Sequence, residues 1–113
     1  MTIHDLEEMD IVKRRDGRVC WILKDNEGEM MTFSLRLWGQ HKLSNYNDDF
    51  TYNGGGYKNP KLDRQNDIVA VSKPPYKWKA LHLMSEYIKA VEDNDNEKLS
   101  ECMRAFNWIH VHD

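Results

Sequence analysis

The sequence predicts an α+β fold, a small antiparallel β domain followed by a C-terminal helical hairpin. Three observations predict it. Residues 1–73 hold short β-branched or alternating segments parted by turn signals. Residues 74–113 switch to apolar spacings of three and four. The chain has 113 residues, 40% hydrophobic and 11% aromatic, which suits one domain (1–113) with its own core rather than a disordered segment.

Asp10-Ile11-Val12-Lys13-Arg14 reads as a first strand, and the Asp16-Gly17 pair after it as a tight hairpin turn. Val19-Cys20-Trp21-Ile22-Leu23 returns as a second strand, apolar on both faces and so covered on both sides. Asn26-Glu27-Gly28 is the next turn. Met31, Phe33, Leu35 and Leu37 alternate with Thr32, Ser34 and Arg36, a half-buried third strand. Between Gly39 and Asn66 the periodicity fades, and a structureless stretch of that length is often functional. Within it Tyr46-Asn47-Asp48-Asp49-Phe50-Thr51 reads as an ordered turn with two aromatic anchors, and Gly54-Gly55-Gly56 as a flexible tip. Asp67-Ile68-Val69-Ala70-Val71-Ser72 is a further strand, ended by Pro74-Pro75.

In the last forty residues, Trp78, Leu81, Met84, Ile88 and Val91 form an amphipathic stripe. Asn94-Asp95-Asn96 breaks it and supplies a cap for the next helix, where Leu99, Cys102, Met103 and Phe106 recur at helical spacing. These residues predict that Leu99, Met103 and Phe106 pack on Leu81, Met84 and Ile88. The tail, Trp108 to Asp113, is a final strand or a packed end.

Three segments resemble small bacteriophage and prophage proteins. Met9-Asp10-Ile11-Val12-Lys13-Arg14-Arg15-Asp16-Gly17-Arg18 is similar to their opening strand and turn, with Met9 where they usually have glycine. Tyr46-Asn47-Asp48-Asp49-Phe50-Thr51 and Asp67-Ile68-Val69-Ala70-Val71 are similar to a middle turn and a closing strand, in the same order over residues 9–73. The resemblance implies an SH3-like antiparallel β-barrel over residues 1–73, with the helical hairpin of residues 74–113 an addition to it. It implies a phage-type origin and supplies no catalytic residues.

The chemistry-bearing residues point away from catalysis. Cys20 and Cys102 lie in apolar contexts, where burial suppresses the thiolate a nucleophile needs. No phosphate-binding glycine loop or nucleophile elbow is present, and Asp48-Asp49 read as turn residues. His110 and His112 offer two ligands where a zinc site needs three or four, so no metal and no cofactor are expected. No apolar run approaches a membrane span. Two cysteines and an N-terminus without basic and apolar leader regions read as a reduced, cytoplasmic setting.

Two binding readings remain. Arg14, Arg15 and Arg18, with Lys13 and Lys24, put five positive charges in the first hairpin, and the aromatics offer stacking faces for nucleic acid. Against this, residues 1–73 hold 11 basic and 12 acidic side chains, a net of −1, and residues 74–113 hold 5 and 7, a net of −2. The leading expectation is therefore a binder of a host protein, an inhibitor of a defence nuclease such as a CRISPR effector. Its expected contact residues are Trp38, Tyr52 and Tyr57 in and beside the central loop, where exposed rings suit a hot spot, and Glu97 and Glu101 at the acidic end of the hairpin.

Overall fold

The computed structural model describes residues 1–34, 40–54 and 60–111. Six strands form one antiparallel sheet: β1 (Ile11–Arg14), β2 (Val19–Lys24), β3 (Met30–Phe33), β4 (His41–Lys42), β5 (Ile68–Ser72) and β6 (Ile109–His110). Their order is β4-β3-β2-β1-β5-β6. β1 to β4 follow one another as a meander, and β5 returns beside β1. The α+β class agrees with the sequence reading. Among the described residues β4 and β6 are free edges, so the sheet is open.

Three helices accompany it: α1 (Pro60–Arg64), α2 (Lys77–Glu92) and α3 (Asn96–Ala105). The last two are the expected hairpin. Asp95 caps α3, its carboxylate accepting the Lys98 amide at 3.0 Å, as the Asn-Asp-Asn signal implies. α2 begins two residues after Pro75, which stands outside the first turn rather than within it. Gly17 has φ of +89°, the conformation the Asp-Gly turn needs and a β-branched residue resists. The tail resolves into the short strand β6, laid along β5 by the pairing of Val71 with Ile109. The third strand stops at Phe33, and Leu35 and Leu37 lie outside the described residues.

The sheet is apolar on both faces, as the β2 pattern demands. One face sets Val12, Cys20, Ile22, Ile68 and Val71 against Ile3, Leu6, Leu43, Tyr46, Phe50 and Tyr52. The other sets Ile11 and Val19, with Trp21, against Ala80, Leu83, Met84, Cys102 and Phe106. Phe106 is fully buried there, with Tyr87 at 6.0 Å and Trp108 edge-on at 5.4 Å.

α2 is rotated from the expected orientation. Its buried stripe is Ala80, Leu83, Met84, Tyr87 and Ala90. Leu81 is 47% exposed and Trp78 is 66% exposed, so neither fills the core as the spacing suggested. The cause is that α2 carries apolar residues on two sides, and only one side meets the sheet.

Truncating Phe106 to alanine opens a cavity beneath both helices. The expected cost is about 3–5 kcal/mol. Urea unfolding checks it, and an unchanged midpoint would remove Phe106 from the core.

Candidate protein-binding surface

The first hairpin is not a free basic surface. Arg14 is only 3% exposed, which corrects its expected place among nucleic-acid contacts. Its guanidinium donates to Asn66 Oδ1 and pairs with Asp16 at 2.8 Å. Arg18 lies 3.7 Å from Asp16 and Arg15 lies 3.6 Å from the buried Asp67 carboxylate. The half-exposed pairs are individually weak. Drawing Arg15 onto a phosphate would nevertheless remove countercharge from Asp67, and burial makes that unfavourable.

After β4, Leu43 to Tyr52 forms a cover on the sheet rather than an open loop. Leu43–Asn45 forms a 3-10 turn, and the next turn closes with Asn47 N–H donating to Thr51 O at 2.8 Å. This folds Tyr46 and Tyr52 into a single antiparallel bridge with both rings against the sheet. Tyr46 and Phe50 are the structural anchors the sequence expects. Tyr52, expected as an exposed contact, is 6% exposed. Its ring packs against Tyr46 at 5.3 Å and His41 at 4.5 Å, and its amide donates to Asp67 Oδ1 at 2.8 Å. A Cβ on Gly54 would run into the Tyr52 phenol, so this glycine serves close approach. Gly55, Gly56, Trp38 and Tyr57 lie outside the described residues.

Asp67 is the hub of a buried polar network. Besides the Tyr52 amide and Arg15, it has Arg64 at 3.7 Å, and Arg64 also donates to Tyr52 O. Tyr46 Oη donates to Asn66 O at 2.9 Å. Burial raises the Tyr46 phenol above its ordinary pKa. Burial, then the Arg14 charge, lowers the His41 imidazole below its own. Both groups are thus held neutral around neutral pH.

Nucleophile chemistry has little purchase on either thiol. Cys20 and Cys102 are buried, as expected, and burial pushes Cys20 up to about 11. Asp25, Glu27 and Glu29 bring carboxylate oxygens within 4.8 Å of one another. Asp25 Oδ1 accepts the amides of Glu27 and Glu29, and Lys42 pairs with Glu29 at 3.1 Å, which is the anatomy of a turn. His110 is exposed on β6, and His112 lies outside the described residues. Among the described residues, no helix is long and apolar enough to cross a membrane.

The hairpin carries the surfaces that remain. Glu97 and Glu101 are exposed on α3, beside exposed Glu92, Asp93 and Asp95. Lys89 and Arg104 lie a turn to either side, and Lys98 stands among these five carboxylates. It is shared with Glu86 at 3.7 Å and Glu101 at 3.6 Å, which raise its pKa in that order. At the other end of α2, Tyr76 is 61% exposed and stacks on Trp78, centroids 6.0 Å apart and planes at 13°. Sequence reasoning missed this pair. The available signal was the interleaving of aromatic and basic residues in Tyr76-Lys77-Trp78-Lys79, an awkward pattern for a buried turn.

Two outcomes test this description. Asp67→Ala strands the Tyr52 amide and two arginines, with an expected loss of about 2–3 kcal/mol, read as a lower urea midpoint at unchanged slope. The Cys20 proton gives a pH dependence. With an ordinary thiol value near 9 against about 11 in the fold, the unfolded chain releases its proton first. Stability therefore falls as pH rises from 9 towards 11. Cys20→Ala should flatten that part of the profile. A comparison with protein families, curated proteins and solved structures finds no significant match for this chain.

Proposed function

We propose that this chain is a non-enzymatic, phage-type inhibitor that binds a host protein through the acidic end of its helical hairpin. The observation that carries the reading is the exposure of Asp95, Glu97 and Glu101, with Glu92 and Asp93, around Lys98, five carboxylates that outnumber the nearby bases Lys89, Lys98 and Arg104. A short rigid hairpin on a packed sheet presents these charges with little ordering entropy left to lose. Their complement is an electropositive groove, such as one that normally holds a phosphate backbone. The phage resemblance makes a cytoplasmic defence nuclease, a CRISPR effector among them, the first partner class to test. The meander of β1 to β4 with β5 returning beside β1 also supports the finer SH3-like reading of residues 1–73. The pairing of Arg14, Arg15 and Arg18 with carboxylates weighs against the alternative of a small nucleic-acid-binding barrel.

The test is binding and cleavage inhibition against purified RNA-guided nucleases. Glu97→Lys with Glu101→Lys should weaken capture at least about tenfold, roughly 1.4 kcal/mol, mainly by slowing association. Wild-type association should slow as salt rises. Unchanged capture by the double variant would exclude the acidic end as the contact.

A further inference from the structure

Among the described residues, the outer side of α2 has no packing partner in the fold. Trp78, His82, Ser85, Lys89 and Glu92 recur at spacings of four, three, four and three on the side opposite the buried stripe, and all five are exposed. Tyr76 and Leu81 flank this row at its start, so its first half is apolar. Contiguous exposed aromatic surface of this kind marks a contact site.

Charge decides what covers it. Lys77 and Lys79 stand beside the apolar end, and Glu92 and Asp93 stand at the other. Among the described residues, none of these four has an ionic partner. With Lys89 also in the row, the helix face runs from two positive charges to a net of one negative charge over the length of α2. The complement of such a face is the same face turned end for end. Trp78 and Glu92, the two ends of the row, stand seven residues to either side of Ser85. A two-fold axis at that small residue lets the helices approach closely.

We propose that α2 pairs antiparallel with α2 of a second copy of this chain, crossing at Ser85. Lys77 and Lys79 then face the other copy's acidic end. Trp78 and Leu81 are covered by the aliphatic stems of its Lys89 and Glu92 and by the half-buried Ile88. The antiparallel arrangement also opposes the two helix dipoles favourably. A single helix face falls below the roughly 1,200 Å² of a stable interface, so the dimer is weak and reversible. Glu97 and Glu101 lie on α3, outside the paired row, so this contact is independent of the function proposed above.

Sedimentation and light scattering from about 10 µM to about 1 mM, the range for a small reversible interface, test it. The mass should rise from 13.4 kDa towards twice that value and stop there. Trp78→Glu with Leu81→Glu should weaken association at least about tenfold while leaving the melting temperature unchanged, because both side chains are exposed. Lys77→Glu with Lys79→Glu, and separately Glu92→Lys with Asp93→Lys, should each weaken self-association. A mixture of those two variants should associate at least about tenfold more tightly than either alone, because every facing charge pair is then opposite. A chain that stays monomeric throughout overturns the proposal, as does mass growing beyond the dimer, which would mean head-to-tail contact. A monomer whose fluorescence shifts on anionic phosphatidylglycerol vesicles, in a manner that Trp78→Ala abolishes, overturns it in favour of a membrane surface.

Discussion

A sheet that is apolar on both faces must be covered twice. The helical hairpin supplies one cover in the ordinary way, by laying a stripe of side chains across Ile11 and Val19. The second cover is built from a 3-10 turn, a tight turn and a single bridge, with almost no regular hydrogen bonding of its own. Such a segment has to be held by polar attachments to the sheet. Asp67 and Asn66, immediately before β5, provide them through Tyr52, Arg64, Arg14 and Tyr46. At the N-terminal side, Lys73 joins Asp10 at 2.7 Å and Asp5 O at 2.6 Å, tying a 3-10 turn at Ile3–Asp5 to the end of β5. Asp67, Asn66 and Arg14 are buried, and in that desolvated setting their bonds reinforce one another.

Tight covering leaves its mark on the backbone. Met9, Phe50, Asn94 and Asn107 all have positive φ without being glycine. Asparagine tolerates that region, but a left-handed Phe50 or Met9 costs on the order of 1 kcal/mol or more. Phe50 is fixed by burial of its ring and by its carbonyl, which accepts the Ile68 amide at 3.1 Å. Met9 has φ of +73° and donates its amide to Ile22 at 2.8 Å while packing against the helix-side cluster. Glycine is the residue such a φ favours, so the side chain of Met9 is a packing gain set against backbone strain.

Much of this architecture is legible in the sequence because it rests on periodicity and on local turn chemistry. The first two hairpin strands, the β5 segment, the Asp95 cap and the anchoring roles of Tyr46 and Phe50 are of that kind. What was not legible depended on long-range geometry. Trp78 and Leu81 fit a helical stripe as well as Ala80, Leu83 and Tyr87 do, and only docking on the sheet selects between them. Arg14 reads as a surface charge until Asn66, 52 residues away, accepts its hydrogen bond. Tyr52 beside a glycine run reads as mobile until Gly54 is seen pressed against its ring. Of the proposed binding surface, the acidic α3 residues were readable because helix polar faces follow from spacing, whereas the exposed Tyr76–Trp78 stack was not.

The placement of the two thiols has a practical consequence. Cys20 belongs to the cluster under the irregular cover and Cys102 to the cluster under the helices. Strand β2 separates them, so they cannot join in a disulfide while the sheet is intact. Each becomes available to an alkylating reagent only when its own side opens. Nature has thereby placed one built-in reporter on either side of the sheet. Mass-resolved labelling of the native protein distinguishes peeling of the irregular segment from undocking of the hairpin, without any engineered probe.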